Sequence, residues 1–232
     1  MNQLPKWIVF DAMGVIFEEG DDIINGLVPF LHRHGHGHLD PEAVHAAYRR
    51  ASLGQISPRE FWESQGLIGE YPAIENEYLD TCLQLDPLFG ETAERLRSRY
   101  SLAVLSNDIP EWSVYLRRRH GLDRFFENAV ISGEVGIRKP APEIYRILLD
   151  RLQAEGKDCI FIDDRIPNLT PAAALGMIPV WLARQDGPSD PKIPHRIRRL
   201  SELPGLADEV FPALSAPECT SPHLPNDKHW KE

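Results

Sequence analysis

The stretch Ile8-Val9-Phe10-Asp11-Ala12-Met13-Gly14-Val15-Ile16-Phe17 decides how the rest of the chain is read. With Trp7 it begins as an uninterrupted apolar run of strand length, the pattern of a strand covered on both faces. A carboxylate, Asp11, stands where that strand ends, and Gly14 permits a tight backbone path just beyond it. A lone Asp in such a place is ordinarily a turn or helix cap. Whether it is more depends on what the other strand ends carry.

Working outward, short apolar runs recur at Leu102 to Leu105, Ala129 to Ile131, Cys159 to Ile162 and Ile178 to Leu182. Segments of helical periodicity separate most of them, most clearly Glu91 to Tyr100, Pro110 to His120 and Pro142 to Ala154. Alternation of this kind predicts an α/β fold, a parallel sheet with helices on both faces, whose ligands sit beyond the carboxyl ends of the strands. The interval 18–89 differs, because Pro41 to Ala51, Pro58 to Gln65 and Pro72 to Leu85 read as helices and no strand is evident. It is expected to be a helical cap inserted into a core made of residues 1–17 and 90–211, with Tyr48, Phe61 and Trp62 among its core residues. Residues 212–232, proline-rich, polar and aperiodic, are expected to form a flexible tail.

Composition narrows the partners. Asp and Glu number 35 against 25 Lys and Arg among 232 residues, a formal net charge of -10. Nucleic-acid binding rests on clustered basic groups, so this balance argues against it while leaving room for one small phosphate. Three scattered cysteines suggest neither a disulfide framework nor a zinc cluster. No run approaches the roughly 20 apolar residues that span a bilayer. No membrane partner is expected, and a cytoplasmic location is.

In a parallel sheet, Asp11, Ser106, Asn107, Asp163 and Asp164 would meet at one edge, joined by Lys139 from the loop Gly136-Ile137-Arg138-Lys139-Pro140. Three carboxylates close together repel unless protonated or neutralised, and oxygen ligands suit Mg²⁺, which retains substrate phosphate and water in its shell. Asp11 could then attack phosphorus, Lys139 offset the developing charge, and Ser106 donate a hydrogen bond, with Asn107 beside the bound substrate.

These motifs, in this order, resemble the haloacid dehalogenase-like hydrolases, most of which are Mg²⁺-dependent phosphatases. The resemblance runs from Trp7 to Leu182 and includes Leu105-Ser106-Asn107, Lys139-Pro140 with Pro142, Glu143 and Tyr145, and Phe161-Ile162-Asp163-Asp164-Arg165 with Asn168. It implies a Rossmann-like core, an inserted helical cap, Asp11 as nucleophile, Ser106 as phosphate ligand, Lys139 as charge stabiliser, and a metal site at Asp163 and Asp164. Asn168 would orient its neighbours. The substrate it implies is a small phosphorylated metabolite, hydrolysed through an aspartyl phosphate.

Met13 departs from that pattern. Phosphatases of the family usually have an aspartate there, which protonates the departing oxygen and later activates water. A thioether does neither, although the Met13 carbonyl remains available to the metal. Loss of such help typically removes on the order of 10²- to 10⁴-fold in rate. The expectation is therefore a preference for good leaving groups, or an acid taken from elsewhere, for which the run His32-Arg33-His34-Gly35-His36-Gly37-His38 is one candidate although it otherwise reads as a solvated loop. Two alternatives stand beside this reading. The dehalogenases of the family also lack the second aspartate and use no metal, but the Asp163-Asp164 pair argues against them. A phosphate- and metal-binding protein without turnover is the other. The phosphonate-cleaving branch needs a cap lysine, and residues 18–89 contain none.

Overall fold

The computed structural model of the protein describes residues 5–36, 39–184 and 191–212. Six strands form one parallel sheet in the order β3-β2-β1-β4-β5-β6: β1 Trp7–Phe10, β2 Ser101–Ser106, β3 Asn128–Ile131, β4 Cys159–Asp163, β5 Ile178–Leu182 and β6 His195–Ile197. The two central strands are β1 and β4, and in β1 Val9 lies opposite Ala103 on one side and Phe161 on the other. Successive side chains point to opposite faces. Ile8, Phe10, Leu102, Val104, Ile160 and Ile162 therefore share one core, packed with α5 (Phe89–Arg97) and α10 (Leu203–Val210). Val9, Ala103, Leu105 and Phe161 face the other core, with α8 (Pro142–Leu152) and α9 (Ile166–Ala174). Two-sided burial is why these strands read as continuous apolar runs.

The strand order reverses at β1, whose neighbours β2 and β4 both lie later in the chain. That reversal opens a crevice beyond the carboxyl ends of β1, β2 and β4. The ends of β2 and β4 extend into the polar residues Ser106 and Asp163, one residue past the apolar runs. Three elements escape the periodic reading. Strand β6 is only three residues long, with His195 and Arg196 half-buried. Helix α9 carries Pro167 in its first turn and Pro171 within it, which disguises it as a loop. Helix α10 also lies late in the chain, with Pro204 in its first turn.

Between β1 and β2 the chain builds a helical insertion: α1 (Val28–Leu31) continued from a wider turn at Ile23–Leu27, then α2 (Pro41–Ala51), α3 (Pro58–Ser64) and α4 (Ala73–Cys82). Asp40 caps α2, and Ser57 with Glu60 forms a capping box on α3. The chain leaves and re-enters the sheet side by side, with Phe17 bridging Leu85, Glu18 N donating to Gln84 O and Asp86 N to Ile16 O. Phe30, Phe61, Trp62 and Tyr78 pack edge to face inside the insertion and meet Trp112 of α6 (Pro110–Arg119). Buried Glu75 accepts from the indole nitrogens of both Trp62 (2.9 Å) and Trp112 (2.7 Å), tying the insertion to the sheet layer.

The histidine run begins as helix and breaks into irregular backbone, and none of its described residues is buried. The first insertion helix carries on into His32 and Arg33 and then kinks, with His34 (φ -85°, ψ 16°) and Gly35 (φ 87°) outside helical geometry. The His34 ring lies 4.4 Å from that of Phe30, and His36 packs near Gly66. Gly37 and His38 lie outside the described residues, as does the expected tail beyond Pro212. Among the described residues no helix is long and apolar enough to cross a membrane.

Candidate active site

Asp11 leaves β1 while its backbone N–H still donates to Ile162 O (2.9 Å), so the ladder with β4 fixes where its side chain starts. One carboxylate oxygen, Oδ1, accepts from the Ala12 N–H (2.7 Å) and from Lys139 Nζ (2.7 Å). The same ammonium donates to Asp163 Oδ2 at 2.8 Å. Lys139 is thus a buried cation bridging two buried carboxylates that come from adjacent strands. Its own backbone is held by Asn107, whose Oδ1 accepts from Lys139 N (2.7 Å) and whose Nδ2 donates to Lys139 O (3.0 Å). Both ends of the Asn107 amide are engaged in positioning Lys139 rather than left for a ligand.

Asp163 is fully buried. Besides Lys139, it accepts from Asn168 Nδ2 (3.0 and 3.1 Å) and Arg165 N (2.8 Å). Tyr145 in turn donates to the Asn168 carbonyl at 2.7 Å. Asp164 contrasts with it: Oδ1 is buried and has no hydrogen-bond partner. Its carboxylate is wedged against two glycines. A Cβ on Gly14 would come within 2.5 Å of Asp164 Cγ, and one on Gly20 within 2.3 Å of Oδ2. Gly14, at φ +78°, is also left-handed, which favours glycine.

Oxygen atoms of Asp11, Asp163 and Asp164 lie within 4.8 Å of one another. Burial pushes the Asp11 carboxyl well above the ordinary carboxylate range; Lys139 opposes the shift, while Asp163 and Asp164 add to it. Burial, then the Asp163 charge, pushes Asp164 up to about 6. For Lys139 burial alone would lower the pKa, but Asp11 and Asp163 outweigh it and hold the ammonium above its ordinary value. Three acids share one cation, so negative charge is in excess. The orphaned Asp164 Oδ1 and the all-oxygen donor set fit a hard divalent cation such as Mg²⁺.

A cavity of about 310 Å³ opens onto Asp11 and Lys139, with Asp163 and Asp164 behind its lining. Asp11, Met13, Ser106, Asn107 and Lys139 line it from the sheet side. The described part of the histidine run does not. The insertion contributes Asp22, His45, Tyr48 and Arg49, and the loop before Lys139 contributes Arg138. Arg165 also lines it, and its guanidinium donates to Gly20 O (2.7 Å), holding the entry to the insertion. Asp22, His45 and Arg49 were not legible as site residues. Each lies in a stretch with no motif of its own, and only the fold of the insertion over the sheet edge brings them in.

The chain matches the family described as haloacid dehalogenase-like hydrolase over residues 5–176. It is similar to the (S)-2-haloacid dehalogenase 4A of Burkholderia cepacia, 32% identical over 132 residues, covering 55% of this chain and 57% of that protein. It is likewise similar to the phosphoserine phosphatase of Thermus thermophilus, 29% identical over 171 residues, 67% of this chain and 69% of that one. Among solved structures, a HAD phosphatase from Thermococcus onnurineus superposes with a TM-score of 0.67 at 23% identity, covering 87% of this chain and 97% of the other. The aligned region spans little more than half the length of the dehalogenase.

Proposed function

Because the chain belongs to the haloacid dehalogenase-like hydrolases, we propose that it is a Mg²⁺-dependent phosphatase of small phosphorylated metabolites, with the residues 18–89 serving as its cap. The observation that carries this reading is the gathering of Asp11, Asp163 and Asp164 oxygens within 4.8 Å beside the buried Lys139. A carboxylate nucleophile for carbon–halogen cleavage gains nothing from two further acids at its side. An anionic phosphoryl group needs the cation they would hold.

Asp11, Asp163, Asp164 and the Met13 carbonyl would hold the ion, and bound there it supplies the positive charge that lets a phosphate approach three carboxylates. An Asp11 carboxylate oxygen bonds to phosphorus as the bond to the leaving oxygen breaks, giving an aspartyl phosphate. Water then attacks the same phosphorus, the Asp11–phosphorus link breaks, and inorganic phosphate departs. Lys139 fixes the orientation of Asp11 and offsets charge on the phosphoryl oxygens, and the Ser106 hydroxyl donates to one of them. Met13 takes no part in proton transfer, so from the strand-end residues alone the reaction favours leaving groups that are stable anions, such as acyl or anomeric sugar phosphates.

A panel of phosphorylated metabolites, assayed with and without Mg²⁺ beside Asp11→Asn, tests the reading. Mg²⁺-dependent phosphate release that the variant abolishes is the expected result. Phosphate and metal binding with no phosphorylated Asp11 would leave a binding protein. Halide release from a 2-haloacid without added metal would make the chain a dehalogenase.

A further inference from the structure

Asp22 is a carboxyl in an unusual place. It begins the insertion, yet it is 6% exposed and lines the same cavity as Asp11. No Lys, Arg or His of the described residues lies within ion-pair distance of it; its neighbour Asp21 takes the contact with Arg165 instead. Its one polar side-chain contact is the Tyr78 hydroxyl, 3.5 Å from Oδ2, and Tyr78 is itself enclosed by insertion aromatics. A buried acid with neither a neutralising partner nor a full set of donors is costly, and its placement against a catalytic cavity rather than in a structural network calls for a chemical reason.

We propose that Asp22 performs the acid–base work that Met13 cannot. This rests on the phosphatase reading above. In the first half-reaction the Asp22 carboxyl gives its proton to the leaving oxygen as that oxygen's bond to phosphorus breaks and the Asp11–phosphorus bond forms. In the second, the Asp22 carboxylate takes a proton from water as the water oxygen bonds to phosphorus and Asp11 is released, which restores both residues. A proton donor on the insertion lines the cavity with Asp11 yet stands apart in the chain from the strand-end carboxylates Asp163 and Asp164.

The surroundings of Asp22 suit a group that both gives and takes a proton near neutrality. Burial pushes it up to about 7; Arg165 opposes the shift, Asp21 and Glu19 support it. The other charged or titratable groups facing it are Tyr78, and Asp108, Tyr48 and Arg138 beyond it. None of these is a proposed metal ligand. Asp108, the other buried acid nearby, is occupied by the Ile109 N–H (2.7 Å) and does not line the cavity.

The test is Asp22→Asn, isosteric with the native residue, assayed with an alkyl and an aryl phosphate in Mg²⁺. The expected result is a loss of kcat/KM of ~10²-fold or more on the alkyl phosphate, with the aryl-alcohol burst reduced less than ~5-fold. Wild-type kcat/KM on the alkyl phosphate should also fall above about pH 7, a limb the variant lacks. Met13→Asp placed in the Asp22→Asn background should restore at least ~10-fold of the alkyl activity, which separates lost chemistry from lost folding. Independently of turnover, a carboxyl ¹³C resonance titrating near neutrality in the metal-free protein should vanish in Asp22→Asn. Equal losses on both substrates, an unmoved pH limb, or no rescue by Met13→Asp would overturn the role of Asp22 while wild-type activity keeps the phosphatase reading. A wild-type protein that releases no phosphate and forms no phosphorylated Asp11 removes both.

Discussion

Gly20 offers the sharpest probe of the proposed metal site because it touches Asp164 without being chemically part of it. A Cβ at this position would lie 2.3 Å from Asp164 Oδ2, and the backbone there is outside the left-handed region, so Gly20→Ala adds a contact without backbone strain. The obstructing atom is the end of a side chain. Relief therefore costs the fold little, but it obliges the carboxylate to retreat by about 1 Å to reach ordinary contact. A Mg²⁺ shell at about 2.0–2.1 Å tolerates displacements of only about 0.2 Å. Disturbing the neighbours of a ligand typically costs ~10- to 100-fold in metal affinity, or ~1.4–2.7 kcal/mol. Isothermal titration with Mg²⁺ should show that loss, while urea denaturation in EDTA shifts by less than ~1 kcal/mol. Gly90→Ala, whose Cβ would meet nothing within 4 Å, is the matched control and should bind like the wild type. A dissociation constant within about threefold of wild type for Gly20→Ala would refute the placement of Asp164 in the metal shell.

Three further outcomes follow from the same geometry. Lys139→Met leaves Asp11 and Asp163 buried without their shared cation, and should cost roughly 3–5 kcal/mol in metal-free denaturation, part of it recovered on adding Mg²⁺. Glu75→Leu strands the buried indole N–H groups of Trp62 and Trp112, at about 1–3 kcal/mol each, and should lower the melting temperature more than a change of Glu75 to Gln, which keeps an acceptor. Asp108, pushed up to about 8 mainly by burial and then by Asp22, binds its proton more tightly folded than unfolded. Its contribution to stability is complete below the unfolded carboxylate value of about 4 and is lost as pH rises towards 8. Denaturation of Asp108→Asn across that window should therefore show a flatter decline than the wild type.

Much of the sheet was readable because a strand buried on both faces can carry nothing polar. Trp7–Phe10 and Ile178–Leu182 have the bounds that their apolar runs suggest. Asp11 and Asp163 stand at the ends of such runs, at the carboxyl end of the sheet, where Lys139 supplies a partner for their buried charge. What the pattern hid has equally physical causes. Pro171 sits inside α9, and the three-residue β6 is too short for any period to show. The run starting at His32 is entered as helix because the preceding segment packs Phe30 and Leu31 into the core, and the helix kinks at His34 and Gly35.

The site divides along the same line. Asp11, Ser106, Asp163 and Asp164 are placed by strands, so their convergence needs only the sheet to be parallel. Asp22, His45, Tyr48 and Arg49 are placed by an insertion whose helices bury their apolar faces on one another and on Trp112, with Glu75 accepting from both tryptophans. Nothing local in those segments marks them, since the carboxyl of Asp22 acquires its character only from being enclosed. A chain that has methionine at position 13 therefore need not reveal its proton donor in any motif. The sheet fixes the proposed nucleophile and the proposed cation site to within a residue, whereas the proposed acid, and with it the range of leaving groups, falls to a residue brought in by tertiary packing.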